Sequence, residues 1–180
     1  MLTSVTWLLV AAVVLVFLGS YLSWTAGRLD RLHTRVDAAR AVLDAQLLRR
    51  SGAALDVAAG GLLDPASAIL VADAASRERT TEGDDREQAE SDLTAALDAA
   101  FGDPAFVERL RVEQGAGAAL DELAVACRRV GQARRFLNDT VRAARRLRGH
   151  LLVRWLRLAG NAPWPEPMEF DDSVPRALAG

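Results

Sequence analysis

The sequence predicts an all-α protein: one N-terminal transmembrane helix, then an elongated antiparallel helical bundle and an extended, proline-containing tail. Three observations point there. Residues 5–24 form an uncharged apolar run. Ala, Leu, Arg, Glu and Asp dominate the rest of the chain, while Pro is scarce before Pro163; that is helical composition. Apolar residues recur three and four apart over long stretches, which marks buried helix stripes.

Residues 1–4 are a short flank, and residues 5–24 the span. Twenty helical residues rise about 30 Å, the thickness of the hydrocarbon layer. Eleven of the twenty are Leu, Val or Phe, which favours insertion by about 3 to 7 kcal/mol. Trp7 marks one end, and Tyr21 and Trp24 the other, where aromatic rings suit the headgroup level. The competing reading is a cleaved signal peptide. No Lys or Arg precedes the run, and Leu22 and Trp24 spoil the small-residue pattern of a cleavage site, so a retained anchor is expected. Arg28, Arg31, Arg35 and Arg40 follow the span; by the positive-inside rule the N-terminus lies outside and the C-terminal body in the cytoplasm.

Residues 25–160 supply the bundle. The first helix continues from the span with Leu29, Leu32, Val36, Ala39 and Leu43 on one stripe, extended by Gln46, Arg50, Ala53 and Val57, and Gly60-Gly61 stops it. Asp64-Pro65 reads as an N-cap with proline at the first helical position, for a short helix over 65–76. Residues 77–85 lack apolar side chains and read as a loop. A helix over 85–101 buries Ala89, Leu93, Ala96, Leu97 and Ala100, with Gly102 as its stop. Asp103-Pro104 opens a last helix expected to run from 104 to about 159, with a weak point at 115–117. Its stripe is Leu120, Leu123, Cys127, Val130, Arg134, Leu137, Val141, Ala144, Arg148, Leu151, Trp155 and Leu158. Four prolines from Pro163 to Pro175 end helical structure, so residues 161–180 are read as extended and partly disordered.

Charge is segregated. Residues 64–103 hold eleven acids and three arginines; residues 128–157 hold ten arginines and one acid, Asp139. The chain has no Lys, so all 22 basic residues are Arg, which with the abundant Ala reads as bacterial, GC-rich coding. The first expectation for the split is packing of the acidic middle helices beside the basic last helix. The second is contact of Arg154, Trp155, Arg157 and Trp164 with anionic lipid. Nucleic acid ranks third and is not expected.

Gln46, Arg50 and Arg134 interrupt otherwise apolar stripes, where a charge needs a partner. Asn138 lies four residues beyond Arg134, and Asp139 is the nearest acid on that helix. These five are expected to form a structural polar layer between the first and last helices. Trp7, Tyr21, Trp24, Arg28 and Arg31 are the expected membrane-interface residues.

Two segments resemble a known family. Arg35-Val36-Asp37-Ala38-Ala39 followed by Gln46-Leu47-Leu48-Arg49-Arg50 resembles the R-V-D-E-A and V-Q-L-x-R-R motifs of LemA family proteins. Ala133-Arg134-Arg135-Phe136-Leu137-Asn138-Asp139-Thr140-Val141-Arg142 resembles that family's A-R-x-Y-Y-N-D-A-V-R. Pro167-Met168-Glu169-Phe170 is similar to its P-x-F-F-E ending. Residues 52–58 lack the family's D-L-I-P-N-L-V proline, Arg40 replaces a usual Trp and Cys127 a usual Glu. The resemblance implies a membrane-anchored helical bundle, with the anchor kept, and no defined chemistry.

Catalytic vocabulary is sparse: no phosphate loop, no paired histidines, no nucleophile motif. Asp84-Asp85 and Asp171-Asp172 read as solvated. Cys127, His33 and His150 lack a zinc spacing, and no metal or cofactor is expected. The function expected is a non-catalytic, membrane-tethered interaction or scaffold module whose partners are the lipid bilayer and an unidentified protein. Self-association in the envelope and ligand sensing are the alternatives.

Overall fold

In a computed structural model the chain is all-helical, with no strand among the residues the structure describes, 2–112, 116–149 and 164–179. Among these residues five helices occur in order: α1 (Leu2–Ala59), α2 (Pro65–Thr80), α3 (Arg86–Phe101), α4 (Pro104–Val112) and α5 (Ala116–Arg148). Short 3-10 turns lie at Gly83–Asp85 and Arg176–Leu178.

Helix α1 runs without a break from the apolar stretch into the sequence that follows it. It is the one helix among the described residues long and apolar enough to cross a membrane. Trp7 is 75% exposed, and Tyr21 and Trp24 are exposed as well, with the Arg28 guanidinium 5.7 Å from the Trp24 ring centre. The helix ends where expected, and Gly61 takes a φ of 72°, the left-handed conformation that glycine adopts without steric cost.

Helix α2 starts as expected. The Asp64 carboxylate accepts from the amides of Ala66 (3.0 Å) and Ser67 (3.2 Å), and hydrogen bonds from the Ser67 side chain and backbone hold its pKa below the ordinary value. The helix outlasts the expected end and runs to Thr80, so the reading of residues 77–85 as a loop is corrected. Glu78 extends the buried stripe of Val71, Ala74 and Ala75; a stripe that ends in an acid is invisible to a search for apolar periodicity.

The expectation of one helix from 104 to 159 is also corrected. Arg111 pairs with Asp121 at 2.6 Å. Ten residues on one straight helix are about 15 Å apart along its axis, so the chain must turn between the two. Helices α4, ending at Val112, and α5, starting at Ala116, are separate elements. Residues 150–163 are outside the described set, and with them the expectations for Leu151, Arg154, Trp155, Arg157 and Leu158.

The chain divides into two compact units. One comprises Met1–Ala38 with Asp139–Glu166; the other Ala39–Asn138 with Pro167–Gly180. In the first, Val36, Val141 and Ala144 are buried, and Arg148 stacks 4.8 Å from the Trp164 ring centre. In the second, α2 and α4 pack on α3, and the turn at Arg176–Leu178 packs on α3 and α4. Its core gathers Ala54 and Val57 of α1, Leu93, Leu97 and Phe101 of α3, Leu120 and Leu123 of α5, and Leu178. These are stripe positions of the sequence reading, apart from Ala54, Phe101 and Leu178.

Candidate functional site

The second unit contains two connected polar clusters, one in its core and one along its C-terminal segment. The core cluster begins at Arg50, 1% exposed on a stripe between Leu43 and Val57. Its Nη2 donates to Glu90 Oε2 at 2.6 Å and to the Glu90 carbonyl at 3.2 Å, and its Nη1 donates to Thr94 Oγ1 at 3.0 Å. Glu90 is fully buried. Both partners lie on the apolar face of α3, on one line with Leu97 and Phe101, so α3 carries its acid where α1 carries its arginine. A desolvated guanidinium needs such an arrangement, because several donors must be satisfied at once.

Around this pair stand Glu78 of α2 and Arg86 of α3. Arg86 Nε lies 3.9 Å from Glu90 Oε1, and its Nη2 donates to Asp44 of α1 at 2.7 Å. Burial, with Arg50 opposing and Glu78 reinforcing, pushes the Glu90 carboxyl up to about 8. Beside Glu78 a cleft of about 210 Å³ opens, walled by Asp44, Leu47, Leu48 and Arg86. The Cys127 thiol is buried, which raises its pKa against the pull of Arg50 and Arg128.

The second cluster is built on an extended chain. Residues 164–175 take no helical structure, as the prolines require. Residues 167–178 are held to α3 and α5 at several points. Met168 donates its amide to Asn138 Oδ1 (2.9 Å) and accepts from Asn138 Nδ2 (3.0 Å), so one side-chain amide completes both backbone groups. The Glu169 amide donates to Glu87 Oε1 (2.8 Å), the Asp171 amide to Ser91 Oγ (3.2 Å), and Thr94 Oγ1 donates to the Asp171 carbonyl (2.6 Å). Glu87, Ser91 and Thr94 share one face of α3. The backbone of Glu169 and Asp171 thus meets α3, while the side chains of Glu169, Phe170 and Asp172 reach Arg134 of α5. Arg134 grips Asp172 through two bonds of 3.0 Å and stands 5.4 Å from the Phe170 ring centre. Gly131 makes room: a Cβ there would lie 2.9 Å from Asp172 Oδ2.

Three of the five residues of the expected polar layer thus take partners on other elements. Arg50 turns to α3; Arg134 and Asn138 turn to the C-terminal segment. Asp139 is exposed and pairs with Arg142 of its own helix. Gln46 Oε1 is buried without a hydrogen-bond partner. Thr94, which touches both Arg50 and Asp171, is the link between the clusters. The reading of Asp171-Asp172 as solvated is corrected for Asp172, and Arg134 draws its carboxylates from Glu169 and Asp172 rather than from the acidic middle helices. Glu78, Glu90 and Thr94 escaped the sequence reading. The available signal was an acid embedded in the α3 stripe, matching an arginine embedded in the α1 stripe.

No protein-family model, curated protein or solved structure matches the chain.

Proposed function

We propose that this is a single-pass membrane protein whose helical body is a non-catalytic interaction module, divergent from but akin to the LemA family. In this reading the N-terminus is outside, the body is an elongated antiparallel bundle in the cytoplasm, and an unidentified protein docks on it. The observation that carries the reading is α1 itself: a single helix holds both an exposed, uncharged apolar stretch and the residues Ala53, Ala54 and Val57 that enter the core. Supporting it, Arg50, Arg134 and Asn138 of the LemA-like motifs all have internal partners, as structural residues do.

Membrane fractionation with a carbonate wash tests the tether: the full chain should stay in the pellet. Orientation is tested on the exposed Asp73, because Cys127 is buried and unsuited to labelling. An Asp73→Cys, Cys127→Ser chain should resist a membrane-impermeant maleimide in intact cells and react after permeabilisation. Labelling in intact cells would refute the cytoplasmic placement. Cross-linking in cells with mass spectrometry then identifies the partner.

Self-association is the second reading. Arg128, Arg129 and Arg135 on α5 are exposed, as are Asp73, Asp85 and Asp98 on the acidic segment. Two copies could pair these faces head to tail, and cross-linking of a homodimer that weakens with salt would favour this reading.

A further inference from the structure

Among the described residues, five buried side-chain atoms lack a hydrogen-bond partner, and two of them are Glu78 Oε2 and Glu90 Oε1. Glu78 is 5% exposed and Glu90 fully buried, and Glu78 stands near enough to Glu90 to help raise its carboxyl. Two carboxylates offer only acceptors, so neither can satisfy the other while both are ionised. A single shared proton satisfies both oxygens.

Charge balance gives the same count. Arg86 of α3 is half-buried and is tied outward to the exposed Asp44 of α1. Arg79 and Glu82 flank the cleft and offset one another, and the Cys127 thiol of α5, raised by burial, is neutral. Of the charged groups around the pair only Arg50 is fully buried, so one buried guanidinium faces the two buried carboxyls of Glu78 and Glu90. One proton makes the buried group neutral, and a buried net charge is what the interior disfavours most.

We propose that Glu78 and Glu90 form a buried site for one proton, reached through the cleft beside Glu78, whose occupancy holds α2 against α1 and α3. The site is independent of the membrane reading and would operate wherever the body resides. Glu78 is the buried charge of α2, so loss of the proton sets α2 against its neighbours by like-charge repulsion. Glu90 moves from an ordinary 4.5 to about 8. Between those values the folded chain holds a proton that the unfolded chain has released, so stability falls as pH rises through the window. Below it both states are protonated, and above it neither is.

The test is denaturant unfolding of the full chain in detergent micelles, beside a Glu78→Gln chain, at constant ionic strength. The amide introduced by E78Q donates to Glu90 permanently and takes the place of the proton. The wild-type unfolding constant should climb with pH up to tenfold per unit more steeply than that of E78Q, as for about one proton. Infrared spectra of the folded wild type near neutral pH should contain the carbonyl stretch of a buried carboxylic acid, absent in E78Q and lost in mild alkali. Absence of that band in the wild type overturns the site whether or not E78Q folds, as does an E78Q chain that folds and keeps the wild-type slope. Amide exchange, corrected for intrinsic rate, should lose protection in α2 ahead of α5 as the proton leaves. Equal loss in both would overturn the assignment to α2.

Discussion

At the scale of residues, the protein is governed by where its buried charges find partners. Arg50 has three hydrogen bonds to α3 and little else to hold it in the core. Arg50→Met replaces the cation with an apolar chain of similar length and strands the Glu90 carboxylate. Removing one partner of a buried pair costs about 3 to 5 kcal/mol. Glu90 can escape that penalty by taking up a proton, so the loss should be largest in mild alkali and smaller in mild acid. Denaturation at both pH values measures it, and an equal loss at both would show that Glu90 does not titrate with its partner removed. Arg50 was legible in the sequence as a charge on a seam. Its partner is not legible there, because sequence distance gives no hint that position 90 faces position 50.

At the scale of elements, start and stop signals were readable and some packing partners were not. Asp64-Pro65, Gly61 and Gly102 place their helix ends correctly because capping is a local matter of a few dihedrals and one side chain. The end of α2 is not legible because Glu78 and its neighbours are polar, and only the tertiary environment makes a buried carboxyl tolerable there. The C-terminal segment is the clearest case. Prolines announce that it is not helical, but its docking depends on Asn138, Arg134 and a glycine that lies flat beneath Asp172. Gly131→Ala should therefore push Asp172 away from Arg134 without harming α5, since alanine favours helix. Charge-assisted hydrogen bonds contribute about 1.5 to 3 kcal/mol each, so the segment should open roughly tenfold more often or beyond. Limited proteolysis would register this as faster cleavage between residues 166 and 175 with unchanged helix content by circular dichroism.

At the scale of the whole molecule, the proposal of a membrane tether makes its own prediction. Orientation by the positive-inside rule depends on arginines close to the span. Replacing Arg28, Arg31, Arg35 and Arg40 with Gln in the Asp73→Cys, Cys127→Ser chain should send part of the population into the inverted orientation. Maleimide labelling at position 73 in intact cells would reveal that fraction. An unchanged orientation would assign control to the body rather than to those arginines.

The sequence by itself determined the helical class, the apolar stretch, most helix boundaries and the stripes that become the core, because each depends on spacing along one helix. It also marked Arg50, Arg134 and Asn138 as polar intruders. Only the tertiary structure decided that Arg50 meets Glu90 and Thr94, that Arg134 meets Asp172, and that Glu78 and Glu90 are brought to share a site. Those contacts join residues tens of positions apart on different elements, and their energy arises from desolvation, which no single helix can produce alone.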